Sequence, residues 1–147
     1  MNIIKNIFFS IGIAYVLIVL QNYFQSKYII DFLDKNIITI IIALLAINLT
    51  TLSIVLSKIR ELIDQHNINI SVFKNTQDEI LLSIKEQIIL IFISFITLTI
   101  ITSEWLKLHT DYSDVFNTLL ISCFVYTILI LYDTAKSIFI IINFNRE

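Results

Sequence analysis

Four stretches of this chain, residues 7–24, 37–57, 86–103 and 116–132, are apolar enough and of the right length to cross a lipid bilayer. A bilayer core needs roughly 20 residues of helix. Within lipid every backbone N–H and C=O has to be paired inside the segment, so each stretch is expected to be helical. With 147 residues, 57% of them hydrophobic, and a mean hydropathy of +0.86, little chain is left over for a soluble domain. The fold class that follows is all-α: a polytopic membrane protein with four transmembrane helices in one domain over residues 1–147.

The first apolar run, Ile7 to Leu20, follows Lys5 in the charge-then-apolar order of a signal peptide, but no small-x-small cleavage site comes after it. It reads as an uncleaved first span. Orientation follows from the basic residues, which concentrate on the cytoplasmic side of membrane proteins. Lys5, Lys58, Arg60, Lys74, Lys85, Lys136 and Arg146 fall on one side, and Lys27, Lys35 and Lys107 on the other. Both ends of the chain and the loop from 58 to 85 are therefore expected in the cytoplasm. Tyr23, Tyr28, Trp105 and Tyr112 would then lie at the outer interface, where amphipathic rings prefer to sit. The abundance of isoleucine, asparagine and lysine suits an AT-rich bacterial gene, and the expected location is the bacterial cytoplasmic (inner) membrane, with membrane lipid as the surrounding partner.

Ile59, Leu62 and Ile63 carry the helical period of the second span past its end. After Asn67-Ile-Asn-Ile-Ser71, the run Thr76-Gln-Asp-Glu79 has the form of a capping box and predicts that the third helix starts well ahead of its apolar part. Residues 58–85 thus read as a helical hairpin rising about 15 Å from the membrane. Such a hairpin is either a docking surface for a soluble cytoplasmic protein or a solvated connection. The tail Ile138–Phe144 either continues the fourth helix or lies along the inner interface.

Thr39, Ala43, Ala46, Thr50, Ser53 and Ser57 recur at steps of four and three, which places them on one face of the second span. Small residues let helices approach closely in lipid and hydroxyls can bond across the contact, so the face is a packing seam or a pore lining. Asn48 stands on the opposite face, where its amide would be costly against acyl chains, and this predicts a central position for the second span. In the fourth span Thr118, Ser122, Tyr126, Asp133, Lys136 and Ser137 share a face. Asp133 and Lys136 mark either a cytoplasmic exit or, in an unbroken helix, a charged inner mouth that would favour cations.

Several function classes lack their residues. A net charge of −2 without a basic cluster leaves nothing to hold nucleic acid. Cys123, the one cysteine, sits in an apolar run and reads as a small buried hydrophobe. His66 and His109 fall in opposite loops and no HExxH or GxSxG motif occurs, so no catalytic residue, metal ligand or cofactor is expected, and the chain does not read as an enzyme. With no proline and Gly12 as the single glycine, the spans look unbroken, unlike those of secondary transporters. The first three spans also offer no carboxylate in their interiors for a proton-coupled exporter.

In size, four-span layout, the second-span pattern Thr39-x-x-x-Ala43-x-x-Ala46 with its basic exit at Lys58 and Arg60, and the charged ending Asn145-Arg146-Glu147, the chain resembles the RexB type of phage-exclusion protein. It is also similar to the four-span membrane subunits of anti-phage systems such as Kiwa. These resemblances cover architecture and carry over no functional residue; the loop from 58 to 85 is longer than in the RexB type. Together with the unbroken spans, the hydroxyl stripes on two helices, the projecting hairpin and the lack of a catalytic or transport site, they lead to the expectation of a homo-oligomeric membrane protein in phage defence or exclusion, acting as an ion-permeable effector or as a sensor or anchor for a soluble partner. A non-conducting immunity or partner-binding subunit is the alternative, and a small transporter the third reading. Several copies would be needed for a pore, because four helices alone pack around their own side chains.

Overall fold

A computed structural model describes residues 3–66 and 73–143, and these residues form helices and short turns with no strand among them. The elements are α1 (Ile3–Tyr23), α2 (Tyr28–His66), α3 (Lys74–Ile101), a short α4 (Glu104–Leu108), a 3-10 turn (Thr110–Tyr112) and α5 (Ser113–Asn143). Helices α1, α2, α3 and α5 are each long and apolar enough to span a membrane, in agreement with the all-α, four-span expectation. The segment Asn67–Ser71 and the ending Asn145-Arg146-Glu147 lie outside the described residues.

The turns between helices have identifiable chemistry. α1 ends in a Schellman arrangement, with the Ser26 amide donating to Gln21 O at 3.0 Å and the Gln25 amide to Asn22 O at 3.2 Å. Gln25 takes the left-handed position, φ 50°, where glycine is the usual occupant. At the other end of the same side of the bundle, the Ser103 hydroxyl caps α4 by accepting the Leu106 amide at 3.3 Å, and Leu106 is buried beneath it. Trp105 stacks on His109 and on Tyr112 at centroid distances of 4.9 and 5.9 Å, giving this end an aromatic rim together with exposed Tyr23 and Tyr28.

α5 is the spine of the bundle. Leu120, Ile121, Ser122 and Cys123 are all buried, and at 100° per residue four consecutive buried positions close most of the circumference at this level, although Leu119, Ile128 and Tyr132 are exposed on either side of it along the helix. α5 packs against α1, α2 and α3. This corrects the expectation that the second span is central: α2 buries one stripe, Leu33, Ile37, Ile41, Asn48, Val55 and Ile59, and leaves its other face uncovered. The main core is built from Ala14 and Ile18 of α1, Ile37 and Ile41 of α2, Leu90 of α3, and Leu120, Ile121 and Ile130 of α5.

On α1 and α3 the inward faces are less apolar than the outward ones. α1 buries Ser10, Ala14, Ile18 and Gln21 while Phe8, Phe9, Val16 and Val19 are exposed; α3 buries Ser83, Gln87, Ser94 and Thr97 while Ile89, Phe92, Phe95 and Ile96 are exposed. Contiguous exposed apolar surface on this scale fits a lipid surround.

Beyond the bundle, α2 and α3 continue side by side. At 1.5 Å per residue the 39 residues of α2 reach about 58 Å, far more than a bilayer core requires. This extension has a core of its own, Val55, Ile59, Phe73 and Ile80, onto which Ile138 of α5 packs. α5 therefore runs on as helix to Asn143, and the described part of the tail does not turn to lie along an interface. The α3 start also differs from the capping-box expectation: Phe73 is the N-cap residue, with no side-chain cap, so Thr76 lies inside the first turn. Burial of Phe73 against Val55 and Ile80 anchors the helix start three residues earlier than hydroxyl capping by Thr76 would.

Two stability predictions follow from this packing. Leu120→Ala should cost about 2–5 kcal/mol, whereas Phe92→Ala, on the lipid-facing side, should cost little; unfolding in mixed micelles measures both. Gln25→Gly should stabilise the protein by up to roughly 1 kcal/mol in the same assay, because it relieves the left-handed backbone.

Candidate functional site

The stripe on α2 is laid out on the surface. Thr39, Ala43, Ala46, Thr50, Ser53 and Ser57 are all exposed in the single chain, opposite the buried stripe that meets α3 and α5. Three of its hydroxyls donate back to the preceding turn: Thr50 to Ala46 O at 2.9 Å, Ser53 to Leu49 O at 3.2 Å and Ser57 to Ser53 O at 3.0 Å. With the proton spent on the helix's own carbonyl, what each hydroxyl presents outward is oxygen lone pairs.

On the inner side of α2, Asn48 is fully buried and its Nδ2 donates to Gln87 Oε1 on α3 at 2.9 Å. Asn48 Oδ1 and Gln87 Nε2 have no further partner among the described residues. This amide pair is the polar bond between the two long helices, and Gln87 was not singled out by the sequence.

The fourth-span face is divided among several contacts. Ser122 is buried and shares a hydroxyl–hydroxyl bond of 3.1 Å with Ser10 of α1. Asp133, half-buried and ten residues before the end of α5, accepts from Asn6 Nδ2 of α1 at 3.0 Å. Lys136 is exposed, and Thr118 bonds its own helix at Asp114 O. Thr134 of the same helix reaches Ser83 of α3 at 3.4 Å. The polar residues of α5 thus tie it to α1 and α3, while the α2 stripe faces away from the bundle.

Glu86 is the residue that the sequence concealed. Glu86 is the first residue of the expected third span, yet α3 runs unbroken past this position and buries it in the bundle: it is only 9% exposed, with both carboxylate oxygens unbonded among the described residues. It interacts with Tyr126 of α5, whose buried hydroxyl also lacks a partner at bonding distance, and with the like charge of Asp133. Glu86 borders an open-sided cavity of about 310 Å³ between α1, α3 and α5. A wider hollow of about 620 Å³ lies at the aromatic-rimmed end, bordered by Asp31, Asp34, Asp114 and Lys27. Among the described residues no three metal-ligating side chains stand together.

The Asn48–Gln87 bond yields a test by double-mutant cycle. Asn48→Leu or Gln87→Leu alone should cost about 1–2 kcal/mol by stranding the other amide, and the double variant should recover part of that loss, read from unfolding in micelles. Comparison with protein-family models, with curated proteins and with solved structures finds no match to this chain.

Proposed function

We propose that the protein is a homo-oligomeric, ion-permeable component of the bacterial cytoplasmic membrane, with a role in phage defence or exclusion, assembled through the outward stripe of α2. The observation that carries this reading is the exposure of the whole Thr39–Ser57 stripe in a single chain. A face of alanine, serine and threonine gains little from acyl chains but allows close approach of another helix. Hydroxyl oxygens whose protons are engaged with the backbone form a lining of acceptors, which suits cations better than anions. The defence role rests on the architectural resemblance alone. On this reading both ends of the chain and the α2–α3 extension face the cytoplasm, an orientation that the excess of basic residues supports.

A second reading, that of a non-conducting anchor, sensor or immunity subunit, is favoured by one observation: the extension is preformed around Val55, Ile59, Phe73 and Ile80 rather than being a loose connection. Over the described parts of residues 58–85, 58–66 and 73–85, it would offer a soluble partner a docking surface.

The two readings separate in one preparation. Native mass measurement of the solubilised protein should give a defined oligomer of several copies, and Ala46→Phe, which blocks close approach, should shift it toward monomer. Reconstituted liposomes should pass monovalent cations, and Thr50→Val or Ser53→Ala should change that flux. A monomer or dimer without flux would overturn the ion-permeable reading in favour of the anchor.

A further inference from the structure

Glu86 stands apart from the α2 stripe, in a part of the bundle that the oligomer reading does not use. The groove beside it is walled by Ile7 and Ile11 of α1, Ile89 and Ile93 of α3, and Leu119 of α5. Its polar groups are few. Ser10 and Ser122 satisfy each other across the α1–α5 contact. That leaves Glu86, with two oxygens unbonded among the described residues, and Tyr126, with an unbonded hydroxyl, as polar groups bordering an otherwise apolar hollow.

A carboxylate taken out of water is costly unless a counter-charge or several donors meet it. Tyr126 offers Glu86 a single hydroxyl donor, while Asp133 adds negative potential and is itself engaged with Asn6. One donor does not replace the water lost on burial, and a cation in the groove would supply a counter-charge. The rest of the groove indicates what kind of cation fits. A bare metal ion would need several oxygen ligands, and no such set stands here among the described residues. About 310 Å³ of isoleucine- and leucine-walled space instead suits an apolar body, and Tyr126 adds an aromatic ring, which attracts organic cations.

We propose that the groove between α1, α3 and α5 is a binding site for a monovalent lipophilic organic cation, with Glu86 as its counter-charge and Tyr126 beside it. The open side of the groove admits such a ligand between helices. The site is contained in one chain and does not depend on assembly through α2.

The probe is tetraphenylphosphonium, whose charge is permanent, measured by equilibrium dialysis against the full chain in dodecyl maltoside, a detergent without an ammonium headgroup. Saturable binding at one probe per chain is the expected result. Glu86→Gln should lower the affinity by about tenfold or more, the loss of one charge-assisted contact. Leu119→Trp keeps the carboxylate and alters a side chain that is 40% exposed, so it fills the groove without disturbing the core, and it should also abolish saturable binding. Absence of saturable binding to the native chain, or equal affinity in the Glu86→Gln protein, would overturn the proposal. So would displacement of the probe by phosphatidylethanolamine but not by soluble lipophilic amines, which would assign the carboxylate to a lipid headgroup.

Discussion

The architecture depends on α5 being packed against α1, α2 and α3 around the buried run Leu120–Cys123. In lipid, helices gain nothing from hiding apolar surface, because acyl chains are as apolar as leucine; association rests on close packing and on the few hydrogen bonds between helices. α5 meets that constraint with Leu120, Ile121 and Ile130 for packing, and with Ser122, Thr134 and Asp133 for bonds to Ser10, Ser83 and Asn6. α1 and α3 then turn their smaller or more polar stripes inward and their isoleucines and phenylalanines outward, the reverse of a soluble protein, whereas α2 buries leucine, isoleucine and valine and turns its alanine, serine and threonine stripe outward.

Much of this was legible in the residues. Four spans could be read from length and hydropathy alone, because lipid permits so few backbone solutions. The stripe on α2 could be read because Thr39, Ala43, Ala46, Thr50, Ser53 and Ser57 stand out from a background of isoleucine and leucine. What the sequence could not convey was which face of α2 met its neighbours. Small residues are as suitable for packing within a chain as between chains, and Asn48 alone could not decide how many sides were covered. The inward stripe of α3, Ser83, Gln87, Ser94 and Thr97, has the same kind of spacing and could have been found by the same count.

Glu86 was hidden for a different reason. Next to Lys85 it looks like a charged boundary, and hydropathy places the start of the third span at that point. Burial is set by Phe73, Ile80 and the extension beneath, which carry α3 inward long before its apolar run begins. An edge in sequence is thus an interior in space. The contrast also keeps two features of the molecule separate: the stripe on α2 looks outward, whereas Glu86 faces α5 and a groove shared with α1.

The unequal lengths of the helices have a mechanical consequence. α1, with 21 residues, is about as long as a bilayer core is thick, whereas α2 runs 39 residues without a break, and the chain has no proline with which to hinge it. A rod of that kind acts as a lever whose fulcrum lies where it leaves the bundle. Sideways force on the Ile59–His66 end would emerge, reversed in direction, as tilt of the Thr39–Thr50 face.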